Sequence, residues 1–383
     1  YLEFYKHLSG DQEAPVKWVH TKAEGKIEYS TLFYLPSKVP FDLWDRNSKL
    51  GVKLYVKRVL IMEDEEELLP RFLRFVRGII DTDDMSLNVS REILQENKKL
   101  DSIKSASVKK ILGMIEGVAK TDGYIDFWKN FGNILKEGIV EDFENKDRVA
   151  KLLRFSSTFS DSDSSIEFTS LADYVSRMDE GQESIFYLTA DSLETAKNSP
   201  HLEVFRNRGI EVLLMHDPID EWVVGHLPEF GSKKIKSIGQ AGLSDEAKIV
   251  DNDAQSSALN ENEKKDFLQK VKNALGDSVI DVVESYRLTD SLVCLVSKED
   301  QMSANLERVL KAAGQEVPTS KRIMEINLAH PLVPVINSAI ATVEVEIWAK
   351  LLFEQSLLAE GAKLSDPSGF VKRMNGVLAG VRT

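Results

Sequence analysis

The sequence predicts an α/β protein of the α+β kind. Consecutive αβα layers come first, and a smaller mixed α/β part follows that ends in helices. Three observations predict this. Strand-length runs of apolar, β-branched and aromatic residues alternate with segments of helical period through the first 240 residues. Two buried-type runs, SIFYLTA (184–190) and IEVLLMHD (210–217), bracket a helical stretch, which is the spacing of a parallel crossover. Past a polar stretch the alternation restarts, and it closes on helices with broad apolar faces. At 383 residues the chain exceeds one ordinary core, so two or three domains are expected.

In order, VKWVHTK (16–22), IEYSTLFYLP (27–36) and VKLYVKRVLI (52–61) read as strands. ELLPRFLRFVRGII reads as a short helix feeding a further strand. From Arg91 to about Lys120 apolar residues recur at helical spacing, among them Ile93, Leu94, Ile103, Val108, Ile111, Leu112 and Ile115. Further helices are expected around YIDFWKNFGNILKEG and NKDRVAKLLRFS, and FSDSDSSIEFTS (159–170) reads as a turn-rich loop. The stretch 238–266 is rich in Gly, Ser, Asn, Asp and Gln, with too few apolar residues for a core. The expected organisation is therefore a part over 1–240, subdivided near 120, a linker at 241–260, and a final part over 261–383. That final part reads as helix DFLQKVKNALG, strands VIDVVESYRL and SLVCLVS, helix MSANLERVLKAAG, strand KRIMEIN and three closing helices.

Composition excludes several classes. A net charge of −13 is the wrong sign for counterion release on nucleic acid or for an anionic membrane surface. No apolar run approaches the roughly 18–20 residues that span a bilayer. The opening YLEFYKHLSG has no basic n-region or apolar h-region and reads like mid-helix, so a missing N-terminal portion is expected. The single cysteine, Cys294, lies in an apolar run and reads as a buried structural thiol, which with a reducing compartment points to the cytoplasm. The six histidines are dispersed, so no zinc site is expected. Asp81, Asp83 and Glu92 mimic three positions of a calcium loop, but Met85 and Ser86 stand where a ligand and a glycine are needed. No metal is expected, and no P-loop or dinucleotide fingerprint occurs.

Four stretches carry candidate chemistry. In DMSLNVSREILQEN (84–97), Asn88 or Ser90 can cap a helix, placing Arg91 and Gln95 on one face near its N-terminus. An anion there, a phosphate above all, would make the cation an asset; the alternative is an ion pair with Asp83 or Asp84. KVPFDLWDRNSK (38–49) places Phe41, Leu43 and Trp44 in a polar loop, and DPIDEWVVGHLPEF (217–230) places Trp222 among acids. Those aromatics either fold back on their own core or form an adhesive surface for another polypeptide. Met302, Leu306, Val309 and Leu310 make an apolar stripe, readable as core or as a promiscuous contact. Finally, Ile347, Leu351, Leu352, Leu358, Phe370, Met374 and Leu378 give the closing helices more apolar face than they can bury alone, so packing on an identical copy is expected.

With these on view, the sequence resembles the heat shock protein 90 chaperone family, in its bacterial branch. The matching blocks are PFDLWDRN, KLYVKRVLIMEDEEELLPRFLRFVRGIIDTDDMSLNVSREILQEN, AKLLRF, LADYVSRM, IFYLTADS, EVLLMHDPIDEW and MSANLERVLKAAG, collinear over nearly the whole chain. The resemblance implies the family's middle and C-terminal domains without its N-terminal nucleotide domain. It implies that Arg91 reaches the ATP γ-phosphate, with Gln95 as polar partner and Asn88 shaping the loop. It also implies contact of partly folded client proteins with Glu221, Trp222, Met302, Val309 and Leu310, although Gly225 stands where a polar contact residue is expected. The closing helices correspond to the dimerisation bundle, and the ending LAGVRT lacks an acidic Glu-Glu-Val-Asp tail. ATP with Mg is thus expected in the intact protein, and neither a bound cofactor nor catalysis in this chain alone. The alternatives are a free-standing phosphohydrolase using Arg91 and a passive scaffold.

Overall fold

The computed structural model describes the chain apart from residues 26, 41–42, 44–50, 64–66, 86–97, 162–166, 243–256, 299, 319, 341–344 and 381–383. Contacts divide it into two compact units, one of residues 1–154 with 225–227, the other of residues 155–224 with 228–383.

The first unit opens with α1 (Leu2–Ser9), β1 (Lys17–Ala23) and β2 (Tyr29–Leu35). The expected strand over 52–61 is in fact a hairpin of β3 (Val52–Val56) and β4 (Val59–Glu63). Lys57 and Arg58 both have positive φ, 50° and 66°, the geometry of a two-residue turn matched to strand twist. Neither residue carries the usual Asn-Gly signal, which hid the turn from the sequence. A short 3-10 turn (Arg71–Leu73) then leads into β5 (Arg77–Thr82). The sheet order is β1-β2-β5-β3-β4, with β3 and β5 parallel and the other pairs antiparallel. Helices α2 (Lys98–Val118), α3 (Tyr124–Glu141) and α4 (Lys146–Leu152) complete the unit. Its aromatic centre stacks Phe75 on Phe131 with ring centroids 4.6 Å apart. At Gly138 a β-carbon would stand 2.7 Å from the Phe72 ring, so glycine is what lets α3 approach that turn.

The second unit holds β6 (Ser156–Ser157), α5 (Leu171–Arg177), β7 (Ser184–Thr189), α6 (Leu193–Lys197), α7 (Glu203–Asn207), β8 (Val212–Met215), α8 (Asp220–His226, all but its last two residues), β9 (Glu229–Phe230) and β10 (Lys233–Ser237). Their sheet runs β6-β8-β7-β10-β9; β7 is parallel to β8, as the crossover spacing predicts, and also to β10, which the sequence did not suggest. Next come α9 (Glu261–Leu275), β11 (Val279–Glu284), β12 (Val293–Val296), α10 (Ala304–Ala312), β13 (Arg322–Ile326), α11 (Leu332–Ile340), α12 (Val345–Ala359) and α13 (Pro367–Gly380). Helix α9 starts earlier than its apolar residues suggest. Asn260 caps the N–H groups of Asn262 and Glu263 while Glu263 reaches back to the Asn260 N–H, a full capping box. The third sheet, β11-β13-β12, buries Val282, Leu295, Met324 and Ile326 against α9 and α12.

Candidate functional site

Helix α10 is built the wrong way round for a core helix. Ser303 caps it, accepting from the Leu306 N–H at 2.9 Å. Its buried residues are polar, Asn305 and Glu307, whereas Leu306, Val309 and Leu310, with Met302 just before, stay half-exposed. Glu307 is tied down by Lys311 Nζ at 2.5 Å and the Ser320 N–H at 3.2 Å. A helix that hides hydrogen-bonded polar groups and presents its aliphatic side chains has a surface suited to another polypeptide.

Asn305 and the cap residue Ser303 face α8. Glu221 is 6% exposed, and its two carboxylate oxygens accept from Ser303 Oγ at 2.9 Å and Asn305 Nδ2 at 2.7 Å. Its charge is also felt by Tyr187, whose phenol is raised by burial first and by Glu221 second. Glu221 is therefore spent inside the unit and does not offer its carboxylate to a visitor. Trp222, the next residue, is half-exposed. Gly225, one turn on, is exposed with open space where a side chain would begin, so packing does not require glycine there. The pairing joins two stretches that sequence reading singled out separately. Ser303 and Asn305 were missed; the only available signal was a serine directly before a helical period.

The segment with Asn88, Arg91 and Gln95 lies outside the described residues, as do Phe41 and Trp44. Its flanks are fixed. Lys99 Nζ donates to the Asp84 carbonyl at 2.6 Å, and Asp84 Oδ2 accepts from the Glu28 N–H at 2.5 Å. Thr82 Oγ1 donates to the Glu28 carbonyl at 2.7 Å, holding the same corner. Part of the carboxylate considered as a partner for Arg91 is thus already used by the backbone. Leu43, from the same loop as Phe41 and Trp44, is described and buried.

The closing helices divide their apolar residues. Leu352 is 2% exposed and sits in the unit's own core with Ala349, Val333 and Ile336, which corrects its reading as a surface for a second copy. Ile347, Leu358, Met374 and Leu378 are exposed, the last at 63%, while Leu351 and Phe370 are half-exposed. Arg373 Nε donates to Glu354 Oε2 at 3.1 Å, clasping α13 to α12 so that these residues belong to one fixed surface. Cys294 is buried beside Leu288 and Val296, and burial drives its thiol well above the ordinary range, as a structural thiol requires. Among the described residues no group of three or more His, Cys, Asp or Glu side chains could hold a metal, and no helix is long and apolar enough to cross a membrane.

The fold is a mixed α/β scaffold that buries the polar residues Asn305 and Glu307 of α10 and leaves apolar side chains exposed or half-exposed on α10 and on the closing helices. The model of the Hsp90 protein family matches residues 1–381, and the chain belongs to that family. It is similar to Chaperone protein HtpG of Dechloromonas aromatica, at 52% identity over 381 residues, covering 99% of this chain and 59% of the relative. The HtpG proteins of Aromatoleum aromaticum (51% over 385 residues; 99% and 59%) and Nitrosococcus oceani (50% over 380 residues; 99% and 60%) are also similar. The chain thus spans about three-fifths of the length of the relatives it matches.

Proposed function

We propose that this chain is the client-holding and dimer-forming part of an ATP-driven cytoplasmic chaperone of the heat-shock response. Unfolded or partly folded proteins bind across Trp222 and the half-exposed stripe of Met302, Leu306, Val309 and Leu310, with Phe41 and Trp44 adding to the same adhesive character. One observation carries the reading: α10 buries Asn305 and Glu307 while leaving Leu306, Val309 and Leu310 half-exposed. In this reading Glu221 is a positioning residue that sets α8, and hence Trp222, against α10.

Catalysis is shared with an N-terminal ATPase domain of the longer protein, and nucleic acid and membranes are not partners. ATP and Mg are bound there, and this chain supplies Arg91 to neutralise charge on the phosphoryl group, a contribution that can reach roughly 10³–10⁵ in rate. Gln95 and Asn88 orient that guanidinium. The fixed corner of Thr82, Asp84 and Lys99 supports this role by anchoring both flanks of the segment. A second copy covers Ile347, Leu351, Leu358, Phe370, Met374 and Leu378.

Suppression of aggregation of a heat-destabilised globular protein tests the reading. Trp222→Ala combined with Leu306→Asn is expected to abolish most suppression while leaving the circular dichroism spectrum intact. Unchanged suppression would favour a passive scaffold. Phosphate release from ATP by the chain alone would favour a free-standing phosphohydrolase.

A further inference from the structure

In the second unit β7 lies between β8 and β10, and all three run parallel. The chain leaves β7 toward β8 on one side and later returns as β10 on the other. The carboxyl edge between β7 and β10 is therefore a topological switch point, the place where open α/β sheets take ligands. A cavity of about 680 Å³ opens at this edge, within the size range of small-molecule sites. Asp191 and Ser237 line it from the sheet, and α10, Arg322 and the turn after α12 line it opposite. Gly361, at φ 76°, closes that turn; a β-carbon there would stand 3.2 Å from both Asp191 carboxylate oxygens.

The charge of the lining favours an anion. Arg308 pairs with Asp191 at 2.9 Å, Lys311 with Glu307 at 2.5 Å, and Arg322 with Glu360, while Lys363 adds a fourth cation against three carboxylates. His201 lines the same cavity at 4% exposure, and its Nδ1 is buried without a hydrogen-bond partner. Its Nε2 stands 3.9 Å from Glu360 Oε1, too far for a hydrogen bond. A buried imidazole nitrogen lacking a partner, in a cavity that two guanidinium groups also line, is suited to an oxyanion.

We propose that this cleft binds a small metabolite bearing one oxyanion, a phosphate ester or a carboxylate, held by His201, Arg308 and Arg322. Arg308 also donates to Asn305 Oδ1, and the Asn305 amide holds Glu221. Occupation of the cleft therefore pulls on the contact that sets α8 against α10. The binding claim stands whether or not that face receives client proteins.

The test uses the whole chain with ¹⁵N-labelled histidine, titrated with inorganic phosphate or with citrate against chloride at equal ionic strength. A saturable shift of the His201 ring nitrogens is expected with at least one oxyanion and not with chloride. Response to phosphate alone assigns the phosphate ester, and response to citrate alone assigns the carboxylate. Arg308→Gln and Arg322→Gln should each weaken binding by about tenfold. Should either variant misfold, the wild-type titration still decides. A His201 signal that ignores both oxyanions, or that follows chloride equally, overturns the proposal.

Discussion

Glu221 Oε1 accepts from Asn305 Nδ2 at 2.7 Å, a buried bond that ties α8 to the first turn of α10 across 84 residues of sequence. Its other oxygen takes Ser303 Oγ at 2.9 Å, so both oxygens are paired with donors that have few alternatives. Glu221→Ala strands those donors, and an unsatisfied buried group costs about 1–3 kcal/mol. Urea unfolding should show a loss of that size for the second unit. Glu221→Gln keeps one acceptor and should lose less. If Glu221→Ala unfolds like the wild type yet still weakens client binding, the residue is a direct contact and its positioning role is wrong.

A half-buried carboxylate, Glu203, sets an acid limit on stability. Burial pushes the Glu203 carboxyl up, but the Ser291 hydroxyl and the N–H groups of Thr289, Asp290 and Ser291 outweigh it and leave it below its ordinary value of 4.5. A carboxyl depressed in the folded state adds stability that is complete above its unfolded pKa and is lost as pH falls through the folded pKa. Wild type should therefore exceed Glu203→Gln in stability at neutral pH, and the gap should narrow below pH 4.5. Denaturant midpoints measured across that range check the sign; a gap that widens in acid contradicts it.

The exposed residues of the closing helices allow a dimer test that spares the fold. Removing the helices outright would also remove Ala349 and Leu352 from the core. Leu358→Glu with Leu378→Glu alters only exposed positions. Sedimentation should change from dimer to monomer, with far-ultraviolet dichroism unchanged. A double variant that still sediments as a dimer would place the interface elsewhere.

Much of the fold was legible because the strands and helices carry strong period: β7, β8 and their parallel pairing follow from two buried runs and the helical stretch between them. The hairpin at Lys57 and Arg58 was not, since its left-handed turn uses residues that seldom adopt positive φ. The start of α9 was hidden for a related reason. Its first turn is a capping box of polar residues, which composition alone reads as linker. At the site, the apolar stripe of α10 was readable from spacing, but its exposure was not. Period shows which residues share a face; it does not show whether that face turns toward a core. Leu352 and Leu358 illustrate the point, sharing one helix and one residue type with opposite burial. Glu221 was singled out as a contact, yet its partners lie about eighty residues away, where no local pattern reaches.

Site-specific photo-crosslinking to an unfolded client protein tests the central claim most directly. A photoreactive residue replacing Val309 should yield client adducts, whereas one replacing the exposed Val59 of β4 should yield few. Equal adducts at the two positions, or none at Val309, would mean that the outward aliphatic side of α10 is not where clients are held.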